Sequence, residues 1–188
     1  MRTVLICDDE PIIRLGLKNM LQDVGFDEII ECGDGETAVV MALSRLPDIA
    51  ILDISMPKMD GITATNEIRK KLKIPIIFLT AAYDAETVQR AKETGIAAFL
   101  TKPLRKEELW PAIELAFAHA EEIEQLKEEV EELKETIESR KVIEKAKGVL
   151  MRSQGLSEPD AFRRMQKLAM DKRKSMRQIA EAILLTES

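Results

Sequence analysis

Aromatic residues are scarce in this chain: one Trp, one Tyr and five Phe among 188 residues. After Phe117 the only Phe, Tyr or Trp is Phe162, which excludes a nucleic-acid reader built on a row of aromatics. Cysteine is nearly absent as well. Cys7 and Cys32 both fall in strand-like runs, which argues against a disulfide framework or a cysteine-built metal site. There is one histidine, His119, and no glycine-rich ATP loop, so the chain does not read as a kinase that labels its own histidine. No apolar run approaches the ~20 residues of a membrane span, and the amino terminus lacks a signal-peptide pattern. The expectation is a cytoplasmic protein with no membrane partner. Gly and Pro are missing between Ala112 and Lys147, so nothing in that stretch breaks a helix.

Charge, by contrast, is plentiful and unevenly placed. Residues 1–118 carry 14 basic against 19 acidic side chains, residues 119–140 carry 3 against 9, and residues 141–188 carry 11 against 6. The net −6 of the whole chain is therefore −5, −6 and +5 in order. A basic carboxyl-terminal block behind an acidic spacer points to a polyanion partner for that block alone, with a solvated helical surface as the plainer alternative.

Residues 3–118 alternate short apolar runs with amphipathic stretches, with strands expected near 3–8, 28–32, 48–53, 76–80 and 97–101. Such alternation implies βαβ units and an α/β fold: a doubly wound, five-stranded parallel sheet of flavodoxin-like type. Ligands of these sheets sit beyond the carboxyl ends of the strands. At those ends stand Asp8 and Asp9, Asp53, Thr80 and Lys102. A carboxylate ending a buried strand is costly unless it pairs with a cation or does chemistry. Asp8, Asp9 and Asp53, with the Ser55 carbonyl, form an oxygen-ligand set suited to Mg²⁺. Asp53 is then the candidate nucleophile toward a phosphoryl group, with Lys102 as a point charge and Thr80 as a hydroxyl donor.

Asp8-Asp9, the run Asp53-Ile54-Ser55-Met56-Pro57 followed by Asp60-Gly61, then Thr80-Ala81 and Lys102-Pro103 closely resemble the receiver domain of two-component response regulators. The resemblance covers about residues 1–118. It implies that Asp53 takes its phosphoryl group from a sensor histidine kinase and that Lys102-Pro103 is cis. It also implies that Thr80 and Phe99 act as a switch pair, Phe99 standing where the family frequently has tyrosine. Read from the residues alone, Phe99 serves equally well as core. The chain is not expected to be an enzyme beyond transfer to itself and slow hydrolysis.

From Lys106 the pattern is continuous helix, in which Ile123, Leu126, Val130, Leu133 and Ile137 form a heptad seam. β-Branched residues at a and Leu at d favour a parallel two-stranded coiled coil, and Glu122–Lys127 and Glu129–Lys134 can pair between chains. A homodimer is expected, marginal because the seam is only about three heptads long. Beyond it, three helices are expected, with Val142, Ile143, Ala146, Val149 and Leu150 inward on the first. Ala161, Phe162, Met165, Leu168 and Ala169 would face inward on the second, and Met176, Ile179, Ala180 and Ile183 on the third. Lys141, Lys145, Gly148 and Arg152 share an outer stripe, where a mid-helix glycine suggests close approach of a backbone. Lys172, Arg173, Lys174 and Arg177 gather where the third helix starts, and helix amides there favour phosphate.

The motifs Ala146-Lys147-Gly148-Val149-Leu150-Met151, Ser157-Glu158-Pro159-Asp160-Ala161-Phe162 and Ala169-Met170, followed by Ile179-Ala180, resemble the ANTAR domain of transcription antitermination regulators. The resemblance covers roughly 136–186 and implies binding to paired hairpins in leader mRNA, with an ethanolamine-utilisation regulator as one identity it suggests. Lys141, Lys145, Lys147, Gly148, Arg152, Lys172, Arg173 and Arg177 are the candidate RNA contacts. The organisation read from the sequence is a receiver over 1–118, a dimerisation helix over 119–138 and an RNA-binding module over 139–188. A DNA-binding regulator, an aspartyl-nucleophile phosphatase and a dimerising adaptor are the rival readings. Ser55 counts against the phosphatase, because such enzymes place a second acid there.

Overall fold

The computed structural model describes residues 2–81, 89–91 and 94–186. Its sheet has five strands: β1 (Thr3–Cys7), β2 (Glu28–Cys32), β3 (Ile49–Asp53), β4 (Ile76–Thr80) and β5 (Ala98–Thr101). All pairings are parallel and the order is β2-β1-β3-β4-β5. β1, β3 and β4 are buried along their whole length, whereas β2 and β5 at the margins are partly open. Their continuous apolar runs follow from being covered on both faces. Alternate residues go to opposite layers. Leu5, Cys7, Ala50, Leu52, Ile76 and Phe78 pack with α2 (Gly35–Arg45) and α3 (Gly61–Arg69). Val4, Ile6, Ile49, Ile51, Ile77 and Leu79 pack with α1 (Pro11–Asp23) and with Leu109, Ile113 and Ala116 of α4 (Lys106–Gln154).

Local chemistry fixes the helix starts. Pro11 opens α1, where its missing amide hydrogen costs nothing. Asp34 caps α2 by accepting from the Thr37 amide at 2.9 Å, and Asp60 caps α3 from the Thr63 amide at 2.6 Å. Gly61, first in α3, lies so close to the strand end that an added Cβ would stand 2.1 Å from the Asp53 carbonyl oxygen. Only glycine permits that approach, which seats α3 directly against the end of β3.

The chain divides into two compact units, Met1–Glu124 and Gln125–Ser188, and the boundary falls inside the heptad stretch. In the second unit the last part of α4 packs with α5 (Glu158–Lys172) and α6 (Met176–Thr186). Ala146, Leu150, Ala161, Met165, Ala169, Ile179 and Ala180 make its core. Gly155 adopts φ +63° just past the end of α4, as expected of a helix stop. Ser157 caps α5. Ser175 and Gln178 form a reciprocal capping box at the start of α6, each side chain accepting from the other's amide at 3.2 and 3.1 Å.

Candidate functional site

The sheet order reverses between β1 and β3, and the residues that follow or end these two strands meet there. Cys7 pairs with Leu52, so Asp8 and Asp53 come one step later at the same edge. Asp8 is fully buried and Asp53 nearly so, while Asp9 is exposed. Carboxylate oxygens of all three lie within 4.8 Å of one another. Lys102, delivered by the segment after β5, places Nζ 2.7 Å from Asp8 Oδ2 and 2.8 Å from Asp53 Oδ2. The peptide before Pro103 is cis, as the receiver resemblance implies.

Two further groups at this edge were not singled out from the sequence. Glu10 Oε1 lies 3.2 Å from Lys102 Nζ, and the Glu10 amide donates to Asp8 Oδ1 at 2.9 Å. Arg14 donates to the Asp8 main-chain oxygen at 2.6 Å, holding the turn after β1. Position alone could have found Glu10, since it follows the two aspartates directly. On the other side, the Ser55 amide donates to Asp53 Oδ1 at 3.3 Å.

The charges do not balance. Among the described residues, Asp8, Asp9, Glu10 and Asp53 meet the Lys102 ammonium and, through the Asp8 main-chain oxygen, the Arg14 guanidinium, which leaves a formal −2 in a partly buried cleft. Burial and the neighbouring Asp8 charge push the Asp53 carboxyl up, against the opposing pull of Lys102 and the Ser55 amide. Burial alone would lower Lys102, but Asp53 and Asp8 hold its ammonium well above the usual lysine range. Hard oxygen donors with surplus negative charge fit a hard divalent cation.

Thr80 ends β4 and is buried, and its carbonyl accepts from the Lys102 amide at 2.9 Å. Phe99 is half-buried in β5, its ring 6.1 Å from that of Phe78 and packed on the core. Thr80 thus borders the acidic edge, whereas Phe99 sits level with Phe78, two residues before the end of its strand. Asp60, by contrast, serves as a helix cap and pairs with Arg90 at 3.3 Å.

In the second unit, Lys141, Lys145, Arg152, Lys172, Arg173 and Arg177 are exposed. Arg177 also pairs with Glu181 and Lys141 with Glu138. Gly148 has room for a methyl group, since an added Cβ would meet only the Arg152 guanidinium at 3.5 Å. The fold therefore does not itself demand glycine there.

Two expectations for this unit are corrected. Lys147 is only 8% exposed, and its Nζ lies 2.7 Å from both Glu144 and Glu158. It ties α4 to the start of α5 and is not presented to a ligand, because its neighbour Ala146 draws that side of the helix into the core. Phe162 does not face inward. It is 43% exposed, since Ala161, Met165 and Ala169 line the contact and leave it on the flank. At the start of α6 the Ser175–Gln178 box engages the amides of Ser175 and Gln178. The seam residues behave as expected of an uncovered heptad face: Ile123, Leu126, Val130, Leu133 and Ile137 are all exposed in the single chain.

Two family models match the chain, the response regulator receiver domain over residues 4–114 and the ANTAR domain over residues 131–184. Among curated relatives, the transcriptional regulatory protein PdtaR of Mycobacterium tuberculosis is 45% identical over 98% of this chain and 90% of its own. The probable C4-dicarboxylate response regulator DctR of Bacillus subtilis is 33% identical over 64% of this chain and 54% of its own. Among solved structures, the receiver domain of a modulated diguanylate cyclase from Desulfovibrio desulfuricans matches with a TM-score of 0.60 and 32% identity, over 64% of this chain and 97% of that one. A CheX–CheY–BeF3–Mg²⁺ complex from Borrelia burgdorferi matches with a TM-score of 0.58 and 31% identity, over 62% and 89%. With both parts matched in order and a relative aligned along almost the whole of each chain, the protein belongs to the response regulators that join a receiver domain to an ANTAR domain.

Proposed function

We propose that Asp53 is the phosphoacceptor of a switch that governs binding to hairpins in leader mRNA and so causes transcription antitermination. The observation that carries it is the near-buried Asp53 carboxylate held by Lys102 beside the Asp8 and Asp9 carboxylates. A carboxylate oxygen of Asp53 forms the new P–O bond as the P–N bond to the imidazole of a sensor histidine kinase breaks, leaving an acyl phosphate. Asp8, Asp9 and Asp53, with the Ser55 carbonyl, would hold Mg²⁺, which neutralises charge between the carboxylate and the incoming dianion. Lys102 then turns to a phosphoryl oxygen and Thr80 donates its hydroxyl to another, with Phe99 repacking beside it. The chain catalyses nothing on other molecules and only loses its own phosphoryl group slowly.

The exposed seam of Ile123, Leu126, Val130, Leu133 and Ile137 supports pairing of two chains. Two linked modules raise the effective concentration for a target carrying two hairpins. Lys141, Lys145, Arg152, Lys172, Arg173 and Arg177 supply phosphate contacts, and Gly148 lets an RNA backbone come close. Acting on nascent transcripts, the protein works in the cytoplasm.

Treatment with acetyl phosphate and Mg²⁺ should give a hydroxylamine-labile phosphoryl adduct on the wild type, absent from Asp53→Asn and suppressed by a chelator. The adduct should strengthen binding to a two-hairpin RNA over duplex DNA. An adduct that persists in the variant, or a preference for duplex DNA, overturns this reading.

A further inference from the structure

The ring of Phe162 is 43% exposed and does not belong to the buried core of the second unit. At four-residue steps along α5 it is followed by Gln166, also exposed, and by Met170, 74% exposed. Steps of four drift only ~40° around a helix, so the three form one outward stripe ~12 Å long. The stripe runs toward the exposed cations Lys172, Arg173 and Lys174 at the end of α5.

Each part has its own chemistry. The ring offers a flat face, the amide offers a donor and an acceptor, Met170 offers a polarisable side chain, and the cations attract a polyanion. Of the acids in the first turn of α5, Glu158 is tied to Lys147 and Asp160 to Arg163, so neither confronts an approaching phosphate as a free charge. A second copy of the chain suits this face poorly. One ring and one thioether offer far less apolar area than the roughly 800 Å² per partner of a lasting interface.

We infer that Phe162 is a nucleobase-stacking residue: an unpaired base from an RNA loop stacks on its ring, with Gln166 beside it, while the cations at the end of α5 hold the flanking phosphates. This rests on the RNA-binding reading above and names how that surface tells a loop from a stem. Bases within a stem present no free face, so only splayed-out loop bases can use the ring.

The test uses the full-length phosphorylated chain and a pool of RNA hairpins sharing one stem with a randomised unpaired loop. The same stem closed as a complete duplex is the control. Phe162→Leu should weaken hairpin binding on the order of tenfold at every salt concentration, the size of one lost stacking contact. The slope of log affinity against log salt should stay unchanged, because no phosphate contact is removed. Phe162→Trp in a Trp110→Phe background should restore affinity, and its fluorescence should be quenched by the hairpins and not by the duplex.

Equal hairpin binding by wild type and Phe162→Leu overturns the inference while leaving the RNA reading intact. Loss of affinity that tracks loss of the dimer in sedimentation also overturns it, making the ring a contact between copies. Failure of the wild type to bind the hairpins at all removes the RNA reading, and this inference with it.

Discussion

Lys102 reaches Asp8, Glu10 and Asp53 at once because the segment after β5 brings it over the switch point of the sheet. Asp34 shows the same logic at a simpler site. Its carboxyl is held at about 2, first by the Thr37 amide it caps and then by Lys58 at 2.9 Å. A group whose folded pKa lies below its ordinary 3.8 favours the folded state above that value and ceases to do so as acid protonates it. Stability should therefore fall as pH drops from about 4 to about 2, and Asp34→Asn, which can still cap, should flatten that limb in urea titrations. An unchanged acid limb counts against the assignment. The acids and Lys102 of the receiver were legible in the sequence because each ends an apolar run, and a strand end has a defined place on such a sheet. Lys147 and Phe162 were not. The partner of Lys147 on α5 is 11 residues away, and Phe162 lies outward only because α5 presents Ala161, Met165 and Ala169 to its neighbours.

Strands read well for a physical reason: β1, β3 and β4 are covered on both sides, so their sequences are unbroken apolar runs of near-final length. Helix ends were legible wherever a cap announces them, as at Ser157 and Ser175. The heptads of α4 predicted an apolar stripe, and that stripe is present and exposed on the single chain. Within the chain Lys134 pairs with Glu131 at 3.3 Å, so any bond across a dimer must displace a local one worth a few tenths of a kcal/mol. Val130→Lys together with Leu133→Lys should leave the circular dichroism of the monomer unchanged, since both side chains already face water. The pair should abolish dimers of the phosphorylated protein in sedimentation and cost roughly 10²-fold in affinity for a two-hairpin RNA. Dimers that survive both lysines would show that chains pair elsewhere.

Across the whole molecule, charge is sorted by position: the receiver and the spacer are acidic and only the last block is basic. Both matched domains were visible from sequence because each carries short motifs at fixed spacing. The boundary between the compact units was less so, because α4 runs through it with no break in composition. Every residue of α4 from Glu121 to Glu138 is exposed, and nine of these are glutamates. At physiological salt each such charge acts over ~8 Å, so this collar repels nucleic acid from all sides of the rod. Changing Glu128, Glu131, Glu132 and Glu135 to Gln should let crosslinked RNA extend along α4, where the wild type confines it to residues after 140. An unaltered crosslink map would mean the collar is inert. Along the sequence, nine glutamates thus stand between the acidic cleft of the receiver and the basic residues after 140.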